Sequence, residues 1–105
     1  MNNNILFDVK EDNNNLIFSI VKENISMFNT NLNFNEIKHY FNGFYTDIIF
    51  DLKKLKKSDS SFIALLINAS NTMQIYNNKL TLKNIPSNLK RTLEICGILE
   101  FFKIS

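Results

Sequence analysis

Residues 47–82 read DIIFDLKKLKKSDSSFIALLINASNTMQIYNNKLTL, and the fold class follows from how this stretch divides. Asp47-Ile48-Ile49-Phe50-Asp51-Leu52 strings large apolar residues together, as expected of an interior strand covered on both faces. Lys53 to Ser58 is polar and reads as a loop. Asp59-Ser60-Ser61 then offers three capping side chains before an amphipathic run, in which Phe62, Leu66, Ala69, Met73 and Tyr76 form a stripe opposite Asn68, Asn71 and Thr72. Asn77-Asn78 ends that helix, and Leu80-Thr81-Leu82 returns as a strand. If the helix is a crossover, the two strands are parallel, the unit is right-handed and the Asp47 strand sits mid-sheet.

Upstream, Ile5 to Val9 and Leu16 to Val21 read as two strands of a hairpin around Asp12-Asn13-Asn14-Asn15. Phe34, Ile37, Tyr40 and Phe41 recur at spacings of three and four, predicting a short helix over 33–41 that Asn42-Gly43 stops. Downstream, Pro86 opens a helix with Leu89, Leu93 and Cys96 on one face and Gly97 at its left-handed end. Residues 101–104 then make a short edge strand or tail. Phe7, Phe18, Phe28, Phe34, Phe41, Phe44, Phe50, Phe101 and Phe102 are core candidates, because aromatic rings contribute large buried area to a small fold. The expectation is one α/β domain over residues 1–105, a mixed sheet of four to five strands with three to four helices mainly on one face.

The composition narrows function. A net charge of +2 over 105 residues falls far short of the basic surface with which nucleic-acid binders neutralise phosphates. Most acids lie before residue 51 and most bases after it, which would make one face positive. The run Lys53-Lys54-Leu55-Lys56-Lys57 reads first as a solvated loop and second as a patch for an acidic protein partner. A lone Cys96 excludes an internal disulfide framework, and the N-terminus has neither the basic nor the apolar region of a secretory signal. The longest apolar run, from Phe62 to Ile67, is too short to span a bilayer, so the expected location is cytoplasmic.

Catalytic machinery is sparse. Cys96 is expected to be an inert buried thiol and His39 an ordinary packed or surface histidine, and one of each cannot close a zinc site. Two glycines cannot build a phosphate-cradling loop, and no carboxylate pair has acid/base spacing. The sequence therefore points to a non-enzymatic protein without metal or cofactor.

One combination carries a resemblance. A buried strand ending Asp51-Leu52, Asp59-Ser60-Ser61 opening an amphipathic helix, the strand Lys79 to Leu82, and a helix closing Leu93-Glu94-Ile95-Cys96-Gly97-Ile98 resemble the STAS domain over roughly residues 46–102. The chain looks like bacterial anti-sigma-factor antagonists and the small STAS subunit of phospholipid-transporting ABC systems. The resemblance implies that Ser61 is the residue phosphorylated by a kinase-type anti-sigma factor, and that phosphate reverses the docking of that partner. It further implies a partner surface of Lys56, Lys57, Ser58, Asp59, Ser60, Ser61, Phe62 and Ile63. The alternative is an accessory subunit bracing an ABC-transporter ATPase.

Two departures are visible. Phe62 stands where glycine is usual after the second serine, and there it would either shield Ser61 or anchor a docked partner. Glu23-Asn24-Ile25-Ser26 stands where a Gly-Glu-hydrophobic-Asp sequence is common, so Ser26 replaces an acid.

Overall fold

The computed structural model describes residues 6–25 and 37–105. Strands β1 (Phe7–Asp12) and β2 (Asn15–Ile20) form an antiparallel hairpin. Its two turn residues, Asn13 and Asn14, have φ of 51° and 68°, as a type I′ turn requires. The short β3 (Asn24–Ile25) follows, then a 3-10 turn at Lys38–Tyr40 and the strand β4 (Asp47–Asp51). β5 (Lys57–Ser58) leads into α1 (Ser60–Ile75), β6 (Leu80–Lys83), α2 (Ser87–Ile95), a 3-10 turn at Leu99–Phe101 and β7 (Phe102–Ile104).

The main sheet has five strands in the order β1-β2-β4-β6-β7, with every pair parallel except the hairpin, so β4 is central as expected. Register aligns Val9, Phe18, Phe50, Leu82 and Ile104 in one row across all five strands. Along β4, Ile48 and Phe50 are buried while Asp47, Ile49 and Asp51 are half-buried, and β2 alternates likewise. The sheet is therefore covered by helices on one face. The expectation that β4 is sealed on both faces is corrected: Ile17 and Ile49 pair on the barer side.

Among the described residues there are two α-helices rather than three to four. Residues 33–36 of the helix expected over 33–41 lie outside the described residues, and a 3-10 turn occupies Lys38–Tyr40 in the remainder. α1 buries Phe62, Leu65, Leu66, Ala69, Ser70 and Met73, a spacing of three and four that keeps one side on the sheet. Both helices end in the same hydrogen-bonded cap. Asn77 (φ 56°) closes α1 with Asn78 N–H donating to Met73 O, and Gly97 (φ 74°) closes α2 with Ile98 N–H donating to Leu93 O. Asparagine thus fills left-handed positions where glycine is commoner, which lets a chain with two glycines make its turns.

The core is aromatic at its centre: the Phe18 and Phe50 ring centroids are 5.3 Å apart, and Phe7 lies 4.8 Å from Phe50. Phe41 and Phe102 join them, as expected. Phe44 and Phe101, at 66% and 38% exposure, do not, and Phe28 and Phe34 lie outside the described residues. Cys96 is also corrected. It is exposed, because helix α2 stops at Ile95 and the chain turns away at Gly97 before the Leu89–Leu93 face reaches it.

Candidate functional site

The sequence-predicted site sits where the parallel strands β4 and β6 end and α1 and α2 begin. Asp51 ties these ends together, its Oδ1 accepting from Lys53 N–H at 3.1 Å and from Asn84 Nδ2 at 3.0 Å. The segment from Lys53 to Ser58, expected to be a plain polar loop, is instead anchored twice. Leu55 turns back into the core, and β5 pairs in parallel with β3. Lys56 N–H and Lys57 N–H both donate to Glu23 O, at 2.8 and 2.9 Å, and Asp59 N–H donates to Ile25 O. The exposed Lys56–Glu23 ion pair at 3.7 Å adds little to this.

These bonds present Asp59 in extended conformation (φ −101°, ψ −174°) as the N-cap of α1. Its Oδ1 accepts from Ser61 N–H at 3.0 Å and also from the Ser61 hydroxyl, so one carboxylate oxygen holds both donors of that serine. Asp59→Ala is expected to cost about 1 kcal/mol, read as a thermal midpoint lowered by about 4–8 °C. An unchanged midpoint would mean that another side chain supplies the cap.

The other predicted site residues separate cleanly. Lys56, Lys57, Asp59 and Ser60 are exposed, and Ser58, Ser61 and Ile63 are half-buried. All lie along one rim. Phe62 does not: its side chain is 0% exposed, inside the core, so the expectation that it contributes to a docking surface is corrected. The helix period explains this, since Phe62 stands three and four residues before buried Leu65 and Leu66. Ser26, where an acid was expected from the resemblance, lies outside the described residues.

A groove of about 300 Å³ opens beside the rim, between the first turns of α1 and α2, with Leu55, Ile63, Pro86 and Leu89 as its apolar walls. Ser58, Ser60, Asn88 and Thr92 supply its polar edge. The α2 side was not read as part of the site, because nothing local in Pro86–Thr92 indicates that the fold returns it to Ser60. On the other side of Asp59 a shallower hollow of about 460 Å³ is lined by Asn24, Ile25 and Lys57. Among the described residues no group of three or more His, Cys, Asp or Glu could hold a metal ion, and no helix is long and apolar enough to cross a membrane.

The family model of the STAS domain matches residues 6–105. A solved anti-sigma-factor antagonist (STAS) domain protein from Planctomyces limnophilus superposes with a TM-score of 0.82 at 16% identity, covering 93% of this chain and 87% of that one. The Bacillus cell-fate determinant SpoIIAA in its phosphorylated form gives a TM-score of 0.74 at 14% identity, with 94% and 90% covered. The anti-sigma factor antagonist SpoIIAA in its unphosphorylated form gives 0.73 at 13% identity, with 94% and 86% covered. No curated protein shows significant sequence similarity to the chain.

Proposed function

Since this chain belongs to the STAS-domain family, we propose that it is a non-catalytic docking module of the anti-sigma-factor-antagonist kind, acting in the cytoplasm and switched by phosphate on Ser61. Its partner is a kinase-type anti-sigma factor, held on the rim of Lys56, Lys57, Ser58, Asp59, Ser60, Ser61 and Ile63 and the adjoining groove. The observation that carries this reading is the placement of Ser61. It is the second residue of a surface-facing helix, bonded to an exposed aspartate, beside a groove with apolar walls.

The chemistry of the first turn fits such a switch. Its N–H groups lack intrahelical acceptors and carry partial positive charge, so a phosphate there need not unfold the helix. That phosphate brings roughly −1.5 to −2 charges and removes the hydroxyl proton that Ser61 gives to Asp59. Carboxylate and phosphate then repel, and the rim changes from polar and lysine-rich to anionic. A partner built to meet lysines with acids is driven off.

The alternative, an accessory subunit of an ABC-transporter ATPase, gains nothing from an aromatic anchor at Phe62, because that ring lies in the core. The docking reading is tested by incubating the protein with its host's kinase-type anti-sigma factors and ATP, mapping phosphate by mass spectrometry. The expected result is a complex with the unmodified protein and phosphate on Ser61. Neither complex nor Ser61 phosphate with any of these kinases overturns it, and a co-purifying transporter ATPase would favour the alternative.

A further inference from the structure

The chain is rich in asparagine, and Asn42 is the one that glycine follows; every other asparagine precedes a residue with a side chain. The pair Asn42-Gly43 is expected to stop a helix, and its geometry adds a chemical property. Both residues are exposed, in the loop between the 3-10 turn and β4, and the next residue, Phe44, is 66% exposed. Gly43 faces Tyr76, the C-cap of α1, so the loop lies at the other end of that helix from Ser61.

The loop brings a nucleophile and an electrophile together. Among the described residues no acceptor takes the Gly43 N–H, so its nitrogen can react without breaking a hydrogen bond. Asn42 Oδ1 accepts from Phe44 N–H at 3.0 Å, which folds the side-chain amide back over the main chain that carries this nitrogen. The same bond draws electron density from Cγ and is placed to stabilise the charge that Oδ1 gains when Cγ is attacked. Gly43 has no Cβ to obstruct the approach. Asparagines elsewhere are held differently. Asn78 Nδ2 donates to Thr46 O at 2.6 Å while its Oδ1 accepts from Lys79 N–H, the nitrogen that would have to attack it. Asn84 Nδ2 donates to Asp51 at 3.0 Å, and Ile85 after it is β-branched.

We propose that Asn42 is a site of self-modification, at which the Gly43 nitrogen closes on the Asn42 side-chain amide and expels ammonia. The nitrogen gives its proton to hydroxide, the N–Cγ bond forms, and Nδ2 takes a proton and leaves with the electron pair of the Cγ–Nδ2 bond. The product is a five-membered succinimide, formed without oxidant or reductant. One water then adds to either of its carbonyls and breaks that carbonyl's bond to nitrogen. Opening at Cγ leaves aspartate, whereas opening at the main-chain carbonyl leaves isoaspartate, whose backbone runs through the former side chain.

Both products add a negative charge, and isoaspartate also lengthens the backbone by a methylene where there is no slack. A Cβ on Gly43 would come within 2.6 Å of the Tyr76 ring, so a lengthened chain cannot keep its seat there. Thr46 passes the disturbance on, because its carbonyl is tied to Asn78 and its N–H donates to Asn14 O at 2.8 Å, in the β1–β2 turn.

The test ages the full chain in mildly alkaline buffer made with heavy-oxygen water and maps the label by mass spectrometry, with fragmentation that separates aspartate from isoaspartate. Label is expected at residue 42 before any other asparagine, in both products. Asn42→Gln, at an exposed position, should lose it, since the ring it would form has one more member; Gly43→Ala is unsuitable because its Cβ meets Tyr76. The isoaspartate form, separated by ion exchange, should show amide shifts at Gly43, Thr46, Tyr76 and Asn78 and none at Lys56–Ser61. The inference is overturned by an unlabelled residue 42 in the folded chain over a time that fully converts an isolated peptide of residues 38–46. Aspartate without isoaspartate, an earlier reaction at another asparagine, or equal labelling of Asn42→Gln would each overturn it as well. None of these outcomes bears on whether Ser61 is phosphorylated.

Discussion

Replacing Phe62 by alanine is expected to cost about 3–5 kcal/mol, the range for deleting a fully buried phenylalanine, and so to be the most damaging single change in this region. The ring shares its buried cluster with Phe50, Leu52 and Leu66, and it stands on the first turn of α1, so the loss includes both transfer free energy and an unfilled cavity. With a urea slope within the usual ~1–3 kcal/mol/M, the unfolding midpoint should fall by about 1–5 M. Phe62→Gly should be worse by about 1 kcal/mol because glycine also lowers helix propensity. A midpoint within experimental error of the parent protein would return the ring to the surface and reinstate it as a docking anchor.

That the side chain points inward could be read in the sequence, and the docking expectation ran against it. Phe62 begins the same stripe as Leu66, Ala69 and Met73, all buried, and a residue on that stripe cannot also serve the opposite surface. Its neighbour Ile63, one position round the helix, reaches the groove instead. Periodicity misled at Cys96 for the complementary reason: the three-four spacing runs on in the sequence after the helix has ended, and Gly97 turns the backbone away. The central strand was legible from Ile48 to Leu52, but its bare face was not, because an unbroken apolar run looks alike whether one or both faces are covered. The β3–β5 pair was invisible, since two residues are too few to show a period of two. Leu55 did leave a signal, as the one apolar residue within a lysine run. The groove itself needed the fold, because its two walls are joined only through β6 and the return of α2.

Under the proposed switch, Ser61→Glu should abolish partner binding, by about a hundredfold or more, while leaving the protein folded. The two effects separate because they act on different groups. Within the fold, a carboxylate at the second helical position meets the positive end of the helix, an arrangement worth about 0.3–1 kcal/mol. The lost bond from the Ser61 hydroxyl to Asp59, about 1 kcal/mol, offsets it, so net stability should change little. On the surface there is no such offset. The new charge lies between exposed Asp59 and whatever acids the partner presents to Lys56 and Lys57, and it must be desolvated when the groove closes. Ser61→Ala separates charge from hydroxyl: it gives up the same bond to Asp59 without adding charge, and should dock the unphosphorylated-state partner nearly as well as the parent protein. Calorimetric titration of both variants against the kinase partner decides the matter. If alanine and glutamate bind alike, charge at this position is not what the partner reads, and the control must lie in the groove between the two helices rather than in the serine.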